Sequence, residues 1–240
     1  RGIVRPRVIA GTPMPTDTNS DPDAGESDAP EPNAGEPPVD ESRPPDRRAA
    51  VRFKMVPAPP EDRPLERLRD AWRTIPIVPA DEDDCCERLM QRVGFASRDV
   101  SRAWLTFLRA LGVVERTGSG FKRVGEAPAA ERLREAFLDR ILLSHEVLWA
   151  ASKCGSGAAL ATPKAVFDRI RSDVPTYERY KNPDSWESIW RERTGHVLEW
   201  LVAFDLLERV GPAGTDLDDD ARGEDPIGYV PTDRGRDRIE

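Results

Sequence analysis

Large apolar side chains are almost absent from residue 11 to Val51 and recur at helical spacing after it. Leu65, Leu68 and Trp72 share one helical face, and Pro64 suits a first helical position, which predicts a helix over residues 65–74. Pro76 and Pro79 then break the chain. A second helix is expected over 83–93, with acidic residues in its first turn where the helix dipole favours them, and Gly94 ends it. Ser97 is a good N-cap for a third helix that reaches Leu111, before the stop at Gly112. Two short strands, 113–116 and 121–124, flank the Gly-rich turn Thr117-Gly118-Ser119-Gly120 and read as a β-hairpin, the wing.

The same order of elements then returns. Glu66-Arg67-Leu68-Arg69-Asp70-Ala71-Trp72 is echoed by Glu131-Arg132-Leu133-Arg134-Glu135-Ala136-Phe137. Ala110-Leu111-Gly112-Val113-Val114-Glu115-Arg116 is echoed by Ala203-Phe204-Asp205-Leu206-Leu207-Glu208-Arg209, at an offset of 93. Arg98-Asp99-Val100-Ser101 and Arg191-Glu192-Arg193-Thr194 keep that offset, so helix and strand repeat together. The second copy has helices expected over 129–142, 145–153 and from Thr162-Pro163 to 172. A long helix follows, capped by Asn182-Pro183 and running to about residue 205, then strands at 206–210 and 227–230. Its hairpin tip is an acidic stretch holding Asp216, Asp218, Asp219, Asp220, Glu224 and Asp225.

Helix, helix, helix and hairpin, given twice, resembles tandem winged-helix proteins, and more loosely the small winged-helix proteins of halophilic archaea. The resemblance covers about residues 61–232 and rests on element order and the repeat. It implies a mainly α fold with short β-hairpins (α+β), a first winged-helix domain over 61–127 and a second over 128–232. The second carries the helical insertion and the acidic wing loop, and 233–240 form a C-terminal tail. Residues 1–60 are expected to be a disordered, Pro-rich, acidic segment, because so little apolar surface cannot offset the entropy of ordering it. The chain opens on Arg1, which makes Met14 a candidate start.

Charge refines this picture. The net charge of −8 would argue against nucleic acid, but residues 1–50 carry −4 and 211–240 carry −5, leaving 51–210 at +1. Arginine outnumbers lysine 31 to 5, and with the acidic ends this composition resembles that of halophilic archaea. No apolar run approaches the ~20 residues of a membrane span, so a soluble, cytoplasmic protein is expected. Cys85, Cys86, Cys154, His145 and His196 have no metal-ligand or disulfide spacing and are expected to be structural.

The winged-helix resemblance implies duplex DNA as partner, read by the third helix in the major groove. In copy one, Val100, Trp104, Phe107, Leu108 and Leu111 form the core stripe of that helix. Arg98, Arg102 and Arg109 lie opposite, on a face whose only acid is the marginal Asp99. Arginine can clamp a phosphate or read guanine bidentately, and Lys122 and Arg123 of the wing would reach the neighbouring backbone. In copy two the core stripe is Trp186, Trp190, Val197, Leu201 and Phe204, with Trp200 alongside, and Arg191 shares the outer face with Glu192 and Glu199. That copy is expected to stay off DNA and to serve dimerisation, partner binding or packing against copy one. Tyr177 and Tyr180, read as loop residues, could meet a nucleotide or partner, though the simpler expectation is that they cover the start of the long helix. Nothing resembles a nucleophile with a base or a paired catalytic carboxylate. The reading is therefore a non-enzymatic, cofactor-free DNA-binding protein acting in transcription regulation, with a scaffold or adaptor in a chromosome-maintenance or transcription complex as the alternative.

Overall fold

Capping chemistry and apolar spacing set the helices of copy one in a computed structural model that describes residues 52–154, 161–211 and 228–239. Helix α1 (Pro64–Thr74) starts on its proline and turns Leu68, Ala71 and Trp72 inward. Helix α2 (Glu82–Val93) is capped by Asp81, whose side chain accepts from the Asp84 N–H at 2.7 Å. Helix α3 (Arg98–Ala110) is capped in the same way by Ser97, which accepts from the Val100 N–H at 3.2 Å. Strands β1 (Val114–Thr117) and β2 (Gly120–Arg123) then pair antiparallel, with Val114 opposite Arg123 and Arg116 opposite Phe121.

The hairpin is tied to the loop between α1 and α2. The Ala80 N–H donates to the Phe121 carbonyl at 3.0 Å, and the Phe121 N–H returns the bond at 2.6 Å. Gly120 lies so close that a Cβ there would collide with the Ala80 carbonyl, and its φ of 128° is one that L side chains rarely adopt.

Copy two follows as α4 (Ala130–Arg140), α5 (Ser144–Cys154), α6 (Pro163–Ile170), a 3-10 turn over Arg171–Asp173 and α7 (Thr176–Lys181). The long α8 (Trp186–Ala203) leads into the antiparallel pair β3 (Leu207–Val210) and β4 (Gly228–Pro231), and α9 (Asp233–Arg236) follows. The chain is thus mainly helical, with two short hairpins. The acidic wing tip and residues 1–51 lie outside the described residues.

The copies share one core. Phe107 of α3 and Trp200 of α8, equivalent at the offset of 93, meet at a ring separation of 4.9 Å. Contact between equivalent positions means that an approximate twofold relation passes between them. In keeping with this, α1 packs on α8 while α3 packs on α4. Trp104 lies 5.9 Å from Trp200, and Phe137 lies 6.2 Å from Phe107 and 5.2 Å from Phe204. The buried Arg134 of α4 donates to the Phe204 carbonyl at 2.8 Å, satisfying the end of α8.

Several sequence expectations are revised. The segment expected to be disordered through residue 60 is in place from Arg52 onward and straps across copy two. Phe53 bridges Ile141, Val56 is buried, and the Trp200 Nε1–H donates to the Pro57 carbonyl at 2.8 Å. A run of few apolar residues gave no sign that one tryptophan would need its carbonyl. The Tyr177–Lys181 stretch is helical, and both tyrosines point outward, 62% and 81% exposed, rather than covering α8. Trp186 is covered instead by the Arg171 and Arg179 guanidinium groups at 5.6 and 5.4 Å. Val100, placed in the core stripe from its spacing, is 39% exposed, because that stripe leaves the core in the first turn of α3. The expected tail from residue 233 forms α9, and the Arg238 carbonyl lies 3.1 Å from His145 Nε2.

Candidate nucleic-acid interface

The N-terminal half of α3 projects from the body, while its C-terminal half is packed on nearly all sides. Arg98 and Arg102 stand exposed on the projecting turns, one helical turn apart. Neither is alone. Arg98 pairs with Asp83 in the first turn of α2, and Arg102 holds Glu82 at 2.5 Å and Asp99 at 3.4 Å. The face expected to be nearly free of acid is so only along its own helix. The α2 N-terminus brings Glu82 and Asp83 against it, for the dipole reason that put acids in that turn. These pairs are solvent-exposed, and water and salt screen such pairs so that each contributes little.

The other expected residues lie in different settings. Arg109, near the end of α3, is half-buried and stacks over the rings of Phe53 and Phe121, 5.8 Å from each centroid. Lys122 reaches across the hairpin to Glu115 at 2.8 Å. Arg123 folds back over the Trp72 ring at 5.2 Å and donates to the Arg73 carbonyl at 3.1 Å. The structure therefore brings Arg98 and Arg102 together, sets Arg109 beside the wing, and turns Arg123 toward α1. The five do not form one patch.

Residues 51–220 match the family model of the halobacterial double winged helix domain. The chain belongs to that family. Winged-helix membership supports a DNA-binding role in general. No curated protein and no solved structure matches the chain.

The third helix of the second copy is buried along one side, like α3, and is bound to its own wing. Trp190, Val197, Trp200 and Leu201 of α8 are buried, and Glu199 is engaged by Arg209 of β3 and accepts from the Tyr229 hydroxyl of β4 at 2.5 Å. Glu199, expected on the outer face, thus ties α8 to its own wing. Arg191 stacks on Phe167 at 5.7 Å, and Glu192 is 4.0 Å from His196. The five Cys and His residues are internal or partly so. Cys85 and Cys86 are fully buried, and burial next to Asp84 pushes the Cys85 thiol up to about 11. His196 Nδ1 lies 3.2 Å from the Val56 carbonyl. Among the described residues no His, Cys, Asp and Glu cluster could hold a metal ion, and no helix is long and apolar enough to cross a membrane.

Two further arginines border the wing and escaped the sequence reading. Arg116 of β1 stacks on Phe121 at 5.7 Å. Arg140, closing α4, lies against the end of α3: a Cβ on Gly112 would meet its Nη1 at 2.6 Å. The hairpin register that pairs Arg116 with Phe121 was the one signal available for the first. Nothing in the sequence places the end of α4 against the end of α3.

Proposed function

We propose that the protein binds duplex DNA as a non-enzymatic transcriptional regulator, with copy one reading the duplex and copy two completing the fold and carrying any assembly contact. The observation that carries this reading is the position of Arg98 and Arg102. They sit on the only turns of α3 that project from the core, where a winged helix meets the major groove. Their acidic partners are surface groups that a phosphate or a guanine edge can displace at small cost. Glu82 and Asp83 then act against indiscriminate binding, since they repel any phosphate that does not bring both arginines into register. Lys122, held by Glu115 on the hairpin, is the wing contact of the same arrangement.

Copy two supports the division of labour by what it lacks. Its outer face mixes Arg191 with Glu192 where copy one presents Arg98 and Arg102. The test is fluorescence anisotropy of the full chain with duplex DNA, titrated from low to molar potassium chloride. Arg98→Glu with Arg102→Glu is expected to abolish saturable binding while the far-UV circular dichroism is kept. A double variant that binds as well as the parent overturns the assignment to α3. A parent that binds no duplex at any salt favours a protein-binding adaptor instead.

A further inference from the structure

Three arginines from three elements converge at the base of the first wing, and none of them has an acidic partner among the described residues. Arg109 comes from α3, Arg116 from β1 and Arg140 from the end of α4 in the other copy. Arg109 and Arg116 both stack on Phe121, at 5.8 and 5.7 Å, and Arg109 also stacks on Phe53 of the strap. Phe53 is fixed in turn by its N–H, which donates to the Arg140 carbonyl at 2.7 Å. Arg140 lies against Gly112, beside the carbonyl end of α3, where the helix dipole favours a cation.

Glu115, next to Arg116 in sequence, is engaged by Lys122 at 2.8 Å. Stacking on an aromatic face orients a guanidinium without using its N–H donors. Two guanidinium groups oriented by stacking and a third beside the end of α3, none with an acidic partner among the described residues, concentrate positive charge in a chain whose net charge is −8. The α3 N-terminus, by contrast, is already neutralised by α2.

We propose that Arg109, Arg116 and Arg140 form a clamp for the phosphate backbone of duplex DNA, built across the junction of the two copies. The clamp rests on the DNA-binding reading above and adds to it the part of the surface that carries the salt dependence. Arg98 and Arg102 choose the register, while the clamp supplies sequence-independent attraction. The strap takes part because Phe53 holds Arg109 in place.

The experiment measures the dissociation constant of the full chain for a generic duplex against potassium chloride from about 0.1 to 1 M. Each phosphate neutralised contributes about 0.9 to the slope of log affinity against log salt. Arg116→Gln with Arg140→Gln is expected to lower that slope by about 2 and to weaken binding roughly 50-fold at 0.1 M, converging with the parent near 1 M. Arg116→Gln alone, at an exposed strand position that folding does not need, is expected to lower the slope by about 1. Arg132→Gln, an exposed charge at the start of α4, leaves the slope unchanged. A parent slope retained in the Arg116 and double variants overturns the clamp while leaving the DNA reading intact. Absence of binding by the parent overturns both.

Discussion

Glu178 is the acid on which three segments of the chain converge. It is buried, 3% exposed, and accepts from Lys54 of the strap at 2.5 Å and from Arg193 of α8 at 3.3 Å. Burial alone would push its carboxyl up. The two cationic hydrogen bonds outweigh that and hold it below the ordinary glutamate range. A carboxyl whose folded value lies below its unfolded one stabilises the fold fully above the ordinary range of about 4.3, and loses that contribution as pH falls through the folded value. Glu178→Gln is therefore expected to cost about 2 kcal/mol at pH 7, since it leaves two cations without their counter-charge but partly open to water. Thermal melts across pH should show the gap between parent and variant closing below pH 4. A gap constant with pH would remove the charge from the explanation.

At the scale of elements, the helices of copy one were legible because their signals are local. Pro64, Asp81, Ser97 and Gly94 start or stop each helix within a residue or two of the expected place. Long-range partners were not legible. Val100 has core spacing but lies past the point where the shared core ends. The Asp83 partner of Arg98 comes from another helix, and Arg109 finds its Phe53 in a segment whose composition argued for no structure at all. The strap gives this a measurable consequence. A chain beginning at residue 61 loses the burial of Val56 and leaves the Trp200 Nε1–H inside the protein without the Pro57 carbonyl. Together these are worth about 3–5 kcal/mol, which lowers Tm by on the order of 10 °C for a domain of this size. Calorimetry of the two chain lengths checks it, and equal melting temperatures would mean that the strap adds nothing to stability.

At the scale of the molecule, duplication was legible in the sequence as motifs repeated in the same order, with one offset shared by third helix and strand, but its geometric result was not. Phe107 and Trp200 are equivalent in the repeat and are also partners in space, so the two copies bury their third helices against each other. That arrangement predicts one cooperative unfolding transition for both copies, with calorimetric and van't Hoff enthalpies in agreement. Phe107→Leu and Trp200→Leu are expected to couple by about 0.5–1.5 kcal/mol in a double-mutant cycle, as touching aromatic pairs do. Two separate transitions, or additive effects of the two substitutions, would show that each copy folds on its own core.

The functional claim is unequal between the copies because their outer faces differ in charge, and one matched comparison tests it. Arg98 and Arg191 occupy the same place in the repeat. Arg98→Glu and Arg191→Glu are measured side by side for binding to duplex DNA by anisotropy, at several potassium chloride concentrations. The account predicts at least a tenfold loss for Arg98→Glu, an order of magnitude typical of losing one charged base or phosphate contact, and parent-like binding for Arg191→Glu. Equal losses, or a loss confined to Arg191→Glu, would contradict the claim that copy one is the reader.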